Sequence, residues 1–252
     1  MLDRIQTSLF FIGLLVLWQI LYMSAIWPDF LFPSPQAVLD TFILGVKDGS
    51  IIIAIITSMV RIAKGYLIAL AIGIPMGVLI ARVRVLKNTL GALFAGLQPL
   101  PSICWLPLAV LWIGLNEKSI IFIILLGATF SITTATEAGV RNVPPIYIRA
   151  ARTMGVKGWR LYLNVLFPAA LPAIITGMKL AWAFAWRALM AGELISSGVG
   201  LGQVLMTGRD LNDMSMVITV MIIIAILGQL IDQSIFSRLE SKVRTRWGLE
   251  RA

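Results

Sequence analysis

Arg149-Ala150-Ala151-Arg152-Thr153-Met154-Gly155, followed after nine residues by Val165-Leu166-Phe167-Pro168, is the stretch from which the rest of the chain is read. Pro144 and Pro145 stand just before it and suit the opening of a helix, because the N–H that proline lacks is one a first turn leaves unused. Ala150, Ala151 and Met154 recur at helical spacing on one small-residue face, and Gly155 supplies the left-handed residue that ends the helix. A second short helix is expected from about Lys157, carrying Trp159, Leu161, Tyr162 and Leu163, with Pro168 and Pro172 marking the start of the next span. Lys157 stands where Ser or Thr would cap that helix, so the cap comes from elsewhere or is absent. Charge alone leaves two readings open. The pair is either a knob that docks in a cleft of a soluble partner, or an amphipathic pair held on lipid by Arg149, Arg152, Lys157 and Arg160. The spaced Ala-Ala, Gly and Pro favour the knob.

The surrounding chain is 59% hydrophobic and 13% charged, more apolar surface than a soluble core of 252 residues hides. An integral membrane protein follows. Residues 9–26, 63–81, 91–113, 119–136, 172–190 and 215–236 are each near the ~20 residues a spanning helix needs. The fold class is therefore an all-α membrane protein with six transmembrane helices in one domain over 1–252. The 138–168 loop joins helices 4 and 5, and a basic tail covers 237–252. The first span is too long and too aromatic for a cleaved signal peptide.

With both termini cytoplasmic, the inner segments hold Arg4; Arg82, Arg84 and Lys87; Arg141, Arg149, Arg152, Lys157 and Arg160; and Arg238, Lys242, Arg244, Arg246 and Arg251. The outer side has Lys47, Lys118 and Arg209, with Arg61 and Lys64 at a helix edge, so the positive-inside rule puts the key loop in the cytoplasm. The net charge of +9 is mostly this topology signal. Short juxtamembrane clusters without a soluble fold argue against nucleic-acid binding and for contact with membrane lipid. Cys104 is the single cysteine and histidine is absent, which excludes an intrachain disulfide and a cysteine or histidine metal site. No metal ligand set and no catalytic residue is expected.

Several spans carry unusual residues. Ile51–Ala81 looks too long for one crossing, with Arg61 and Lys64 dividing an outer approach from the span proper and snorkelling to the outer surface or, alternatively, attracting an anion at the mouth. Gly65, Gly73 and Gly77 form a small-residue stripe for close helix contact. The third span contains Gln98-Pro99-Leu100-Pro101-Ser102-Ile103-Cys104-Trp105-Leu106-Pro107. Three prolines at membrane depth free backbone groups that hydrocarbon leaves unsatisfied, so the segment reads as pathway wall, with Gln98, Ser102 and Cys104 as pathway residues, or as a kinked structural helix. In the fifth span Lys179, Trp182 and Trp186 share a face, with Arg187 beside them near the outer end. They suit an anionic solute; alternatively Arg187 pairs with Glu193 and Lys179 reaches headgroups. Glu137 and Arg141 form an i,i+4 pair at an inner helix end. Gly192 to Asp213 reads as an outer loop or re-entrant segment, and no G-x4-G-K-[ST] nucleotide loop occurs anywhere.

The Arg149–Pro168 stretch resembles, position for position, the loop by which ABC-importer permeases grip their ATPase, E-A-A-x3-G-x9-I-x-L-P, with Arg149 for Glu, Val165 for Ile and Phe167 for Leu. Arginine at the first position, together with Pro33-Ser34-Pro35 and the Trp105–Gly114 run, is similar to the sulfonate/nitrate/taurine branch. The resemblance implies the membrane subunit of a type I importer of a bacterial inner membrane. Arg149, Ala150, Ala151, Met154, Gly155, Val165, Phe167 and Pro168 would couple it to two cytoplasmic ATPase subunits, which bind the ATP and Mg; the chain itself holds no cofactor. A second permease copy and an extracytoplasmic solute-binding protein complete the assembly. The implied substrate is a small anion such as a sulfonate, taurine, nitrate or bicarbonate, with a neutral thiamine-precursor pyrimidine as the alternative. A stand-alone secondary transporter or channel would need no partner, and a membrane enzyme would need an acid/base or metal cluster that the residues do not offer.

Overall fold

The computed structural model describes residues 2–196 and 198–246. The side chains of Arg4 and Arg246, and the end of the tail with Arg251, lie outside the described residues. Described residues form helices and connecting turns without a strand. Ten helices are distinguished below: α1 Leu2–Met23, α2 Pro35–Lys47, α3 Ser50–Arg82, α4 Arg84–Leu97, α5 Ser102–Ile113, α6 Glu117–Arg141, α7 Pro145–Thr153, α8 Gly158–Glu193, α9 Leu201–Asp210 and α10 Met214–Thr245. Five are long and apolar enough to cross a membrane, and α4 with α5, bent by 103° across the proline break, makes six when counted as one span. Pro99 and Pro101 occupy the break, where each removes a backbone donor and disfavours helix for the residue before it.

The chain falls into two compact units. The first comprises residues 1–59 and 193–226. In it Trp18 Nε1 donates to the Pro33 carbonyl at 3.0 Å, tying the aromatic-proline turn back to α1. Ser34 Oγ accepts the Ala37 N–H at 3.1 Å, and Pro35 takes the first helical position, so α2 starts where its sequence dictates. Thr219 Oγ1 of α10 donates to the Val38 carbonyl at 3.0 Å and holds α2 against that span. The Gly192–Asp213 stretch is not loop throughout: α9 occupies its second half.

The second unit comprises residues 60–192 and 227–252. Its framework is α3, α6 and α8. A Cβ added at Gly65 would lie 2.6 Å from Ile124 Cγ2, at Gly73 2.8 Å from Ile132 Cγ2, and at Gly77 2.6 Å from both the Thr133 carbonyl oxygen and Thr136 Cβ. The glycine stripe therefore lets the α3 and α6 backbones touch. On the other flank of α6, Gly139 meets Ala173 and Gly177 meets Ala135, both pairings with α8.

Two expectations change. α3 is continuous, so Arg61 and Lys64 do not divide it: Arg61 is 6% exposed instead of snorkelling, and Lys64 pairs with Glu117 at 3.0 Å. No separate second helix ends before Pro168. The chain runs from Gly158 into α8 without a break, because a π-turn over Tyr162–Leu166 loosens the backbone just ahead of Pro168. The Arg187 guanidinium lies 5.5 Å from the Phe184 ring.

The glycine contact yields a direct prediction. Gly77→Val should lower the thermal unfolding midpoint in detergent by the equivalent of about 1–3 kcal/mol, the usual cost of overpacking. Gly13→Val on α1, where a Cβ meets nothing within 4 Å, should leave the midpoint unchanged.

Candidate functional site

α6 ends at Arg141, and Pro144 and Pro145 open α7. The end of α7 is closed by a paired turn in which Gly155 N–H donates to the Arg152 carbonyl at 3.0 Å and Val156 N–H to the Ala151 carbonyl at 2.9 Å. That 5→2 and 6→1 pairing requires a left-handed residue, and Gly155 has φ +82. Lys157 then precedes α8 with no side-chain cap, and Gly158 turns left-handed at φ +58. Two left-handed glycines within four residues turn the chain between α7 and α8.

The small residues of α7 divide between two faces. Ala151, 2% exposed, packs in a buried cluster with Val140, Val143, Leu161, Leu166, Ala170 and Ile174. Half-buried Val165 and Phe167 pack against that cluster, and Pro168 beside them is also half-buried. Ile146, Arg149 and Ala150 are exposed on the side turned away from Ala151, and Tyr147, Arg152 and Met154, the last 76% exposed, are exposed at its flanks. The loop is thus fixed to the second unit by one face of α7 and by the Val165–Pro168 end. The other α7 face, with Ile146 and Ala150 on it and Arg149 and Arg152 along one edge, is left exposed.

A second feature stands near the same end of α6. Lys87, Gln98, Thr133, Thr134, Glu137 and Arg141 line a cavity of about 340 Å³ with apolar walls from Ile80 and Phe94. Thr134 Oγ1 donates to Gln98 Oε1 at 2.9 Å, leaving the amide NH2 of Gln98 to donate. Arg141 pairs with Glu137 at 2.8 Å. Thr133 is 1% exposed and its Oγ1 has no hydrogen-bond partner among the described residues. The lining is rich in donors, with one carboxylate already engaged by a guanidinium.

The other candidate pathway residues are dispersed. Ser102 is half-buried against Gly127, and Cys104 is exposed on the surface of its unit. Lys179 pairs with Asp232 at 3.1 Å. Trp182 stacks edge-on to Tyr66 and Trp186 and tilts over Phe236, so both tryptophans are buried in an aromatic cluster. Arg187 is exposed.

Sequence reasoning missed two groups. In the first unit Glu193, 1% exposed, accepts Ser58 Oγ–H at 2.8 Å and the Gly202 N–H at 2.9 Å, while the Leu201 N–H donates to Ser58 Oγ. A Cβ at Gly200 or Gly202 would collide with Glu193, so these two glycines leave room for the carboxylate. In the second unit Arg82 lies over Tyr162 at 3.1 Å and Trp159 at 4.9 Å. The available signals were a carboxylate at a span end followed by spaced glycines, and an arginine closing a span.

A broken span, a close-packed helix framework and a short, partly exposed helix between spans belong here to a sequence without a nucleotide-binding loop. A family model described as a binding-protein-dependent transport system inner membrane component matches residues 73–245. This chain belongs to that family. It is 33% identical to the nitrate import permease protein NrtB of Synechocystis sp., over 91% of this chain and 86% of that protein. It is 30% identical to the taurine transport system permease protein TauC of Escherichia coli, over 87% and 81%. A solved structure of the MetNI methionine ABC transporter, in inward facing conformations, superposes with a TM-score of 0.68 at 22% identity, over 78% of this chain and 97% of that one, a likeness of fold.

Two substitutions check the site. Gly155→Val, a β-branched residue forced left-handed, should cost about 1–3 kcal/mol at the turn and uncouple ATP hydrolysis from uptake while the spans stay folded; coupled ATPase and uptake assays read it. Glu193→Ala, which strands the Ser58 hydroxyl and the Gly202 N–H, should destabilise the chain by about 1–3 kcal/mol in thermal unfolding, more than Glu193→Gln.

Proposed function

We propose that this chain is the pathway subunit of an ATP-driven importer of a small anion, working beside a separate ATPase, a second permease copy and a solute-binding protein. The observation that carries the reading is the division of α7 into one face packed on the α6–α8 framework and one apolar-basic face left exposed. A rigid element so attached passes a push on its outer face into the helices behind it. Both termini and α7 lie on the cytoplasmic side, as the concentration of Arg and Lys at that end of the spans supports. ATP-driven closure of the partner subunits swings α7 and rocks the spans between outward and inward openings.

The anion assignment rests on the cavity beside α6. Lys87, the Gln98 amide and the Thr133 hydroxyl offer donors, and its carboxylate is already engaged by Arg141. Relatives named for nitrate, bicarbonate and taurine carry or import anions or a zwitterion with an anionic end, in keeping with such a lining. A neutral pyrimidine is the competing cargo.

Reconstitution separates the readings. Proteoliposomes with the chain, its ATPase, the binding protein and ATP should take up nitrate or a sulfonate; the chain alone should give no flux. Flux from the chain alone would mean a stand-alone channel, and uptake of a pyrimidine but of no anion would overturn the substrate assignment. Gln98→Leu should slow anion uptake about three- to tenfold, the rate equivalent of one hydrogen bond of roughly 1 kcal/mol, without lowering ATP hydrolysis.

A further inference from the structure

We infer that the cleft between α3 and the first turns of α8 binds one anionic phospholipid, its acyl chain between the helices and its phosphate on Arg82. The cleft holds about 330 Å³ and is walled by Ile74, Pro75, Val78, Leu163, Leu166 and Phe167, with Arg82, Trp159 and Tyr162 at its end. Its lining is almost wholly apolar except for Arg82, a shape and chemistry suited to hydrocarbon with a charge at one end. Arg82 is the last residue of α3, and Trp159 and Tyr162 belong to the beginning of α8. The charged end therefore sits where a span meets the headgroups, the depth that aromatic and cationic side chains favour.

The state of the guanidinium points to a phosphate. The guanidinium carbon lies 3.1 Å from the Tyr162 ring centroid and 4.9 Å from that of Trp159, and such ring contacts give its N–H groups no carbonyl or carboxylate acceptor. Nε and Nη2, the two donors of one edge, are shut from solvent and have no hydrogen-bond partner among the described residues. Desolvated donors on a permanent cation are costly to leave so. A phosphate accepts from that edge bidentately once the side chain tilts toward the mouth. An acyl chain attached to it fills the apolar cleft in the same event.

The surroundings select a net negative headgroup. Residues 81–94 and 143–171 contain Arg82, Arg84, Lys87, Arg149, Arg152, Lys157 and Arg160 and no Asp or Glu. Such a cluster beside an inner-leaflet cleft attracts anionic lipid at about 1 kcal/mol per basic residue near the surface, so phosphatidylglycerol outcompetes phosphatidylcholine although both carry the phosphate. Because Trp159 and Tyr162 follow the Gly155 turn directly, the lipid bridges α3 to the segment that leads out of the docking helix.

Native mass spectrometry of the full-length chain in mild detergent, titrated with dioleoylphosphatidylglycerol or dioleoylphosphatidylcholine, tests this without any transport measurement. One phosphatidylglycerol per chain should be retained at least tenfold more tightly than phosphatidylcholine. Arg82→Gln should remove most of that preference, Leu79→Trp, which fills the cleft from its exposed side, should weaken retention of both lipids, and Lys118→Gln, exposed and outside this cluster, should change neither. Arg82→Lys keeps the charge but lacks the two-donor edge; it should fold and weaken phosphatidylglycerol binding, which keeps the test decisive if the Gln variant aggregates. Equal retention of the two lipids, a preference that survives Arg82→Lys and Arg82→Gln, or full displacement of the lipid by millimolar inorganic phosphate would each overturn the proposal, the last by showing an anion site with no role for the acyl chain.

Discussion

The close approach of α3 and α6 is the constraint on which the second unit depends. In lipid, apolar side chains gain little by leaving one hydrocarbon environment for another, so helices associate through packing at short range, and glycine permits the shortest range of all. Gly65, Gly73 and Gly77 bring α3 onto α6 from one flank, and Gly139 and Gly177 bring α8 on from the other. α6 is gripped along much of its length. Thr133, Thr134, Glu137 and Arg141 of the polar cavity lie on this helix, and α7 follows its last turn after Asn142 to Pro144. Thr133 and Arg141 are separated by only about 12 Å of helix, so whatever moves α7 as a rigid body moves the cavity wall too.

Much of this was legible in the sequence because it depends on backbone chemistry. The Pro144-Pro145 opening and the left-handed Gly155 follow from what those residues do to φ and to hydrogen bonding, and the structure places α7 between them. Pro99 and Pro101 break the third span for the same reason. The faces of α7 were not legible. Ala150 and Ala151 are identical in type, and only the packing of Val140, Leu161 and Leu166 decides that Ala151 turns inward. The continuity of α8 through Pro168 was hidden too, since a π-turn leaves no mark in hydrophobic spacing. Charges were read as topology, so the burial of Arg61, the Lys179–Asp232 pair and the stacking of Arg82 emerged only from long-range contacts.

Buried polar groups mark the places where each unit is most specific. In the first unit a carboxylate sealed from solvent is tolerable because Ser58 and the Gly202 N–H solvate it, and its presence fixes the path of the glycine-rich loop into α9. In the second unit the Thr133 hydroxyl and the Arg82 edge are donors awaiting acceptors, one lining a polar cavity and the other at the end of an apolar cleft. The first lining is polar and the second apolar, and the proposals of a solute path for one and a lipid seat for the other rest on that contrast.

The claim that α7 is a cytoplasmic docking element is tested most directly by the chemical accessibility of its outer face. With Cys104 replaced by serine, a single cysteine at position 154 should react with a membrane-impermeant maleimide in inside-out vesicles and not in intact cells, and assembly with the ATPase should protect it. Labelling from outside the cell, or labelling indifferent to the ATPase, would contradict the account.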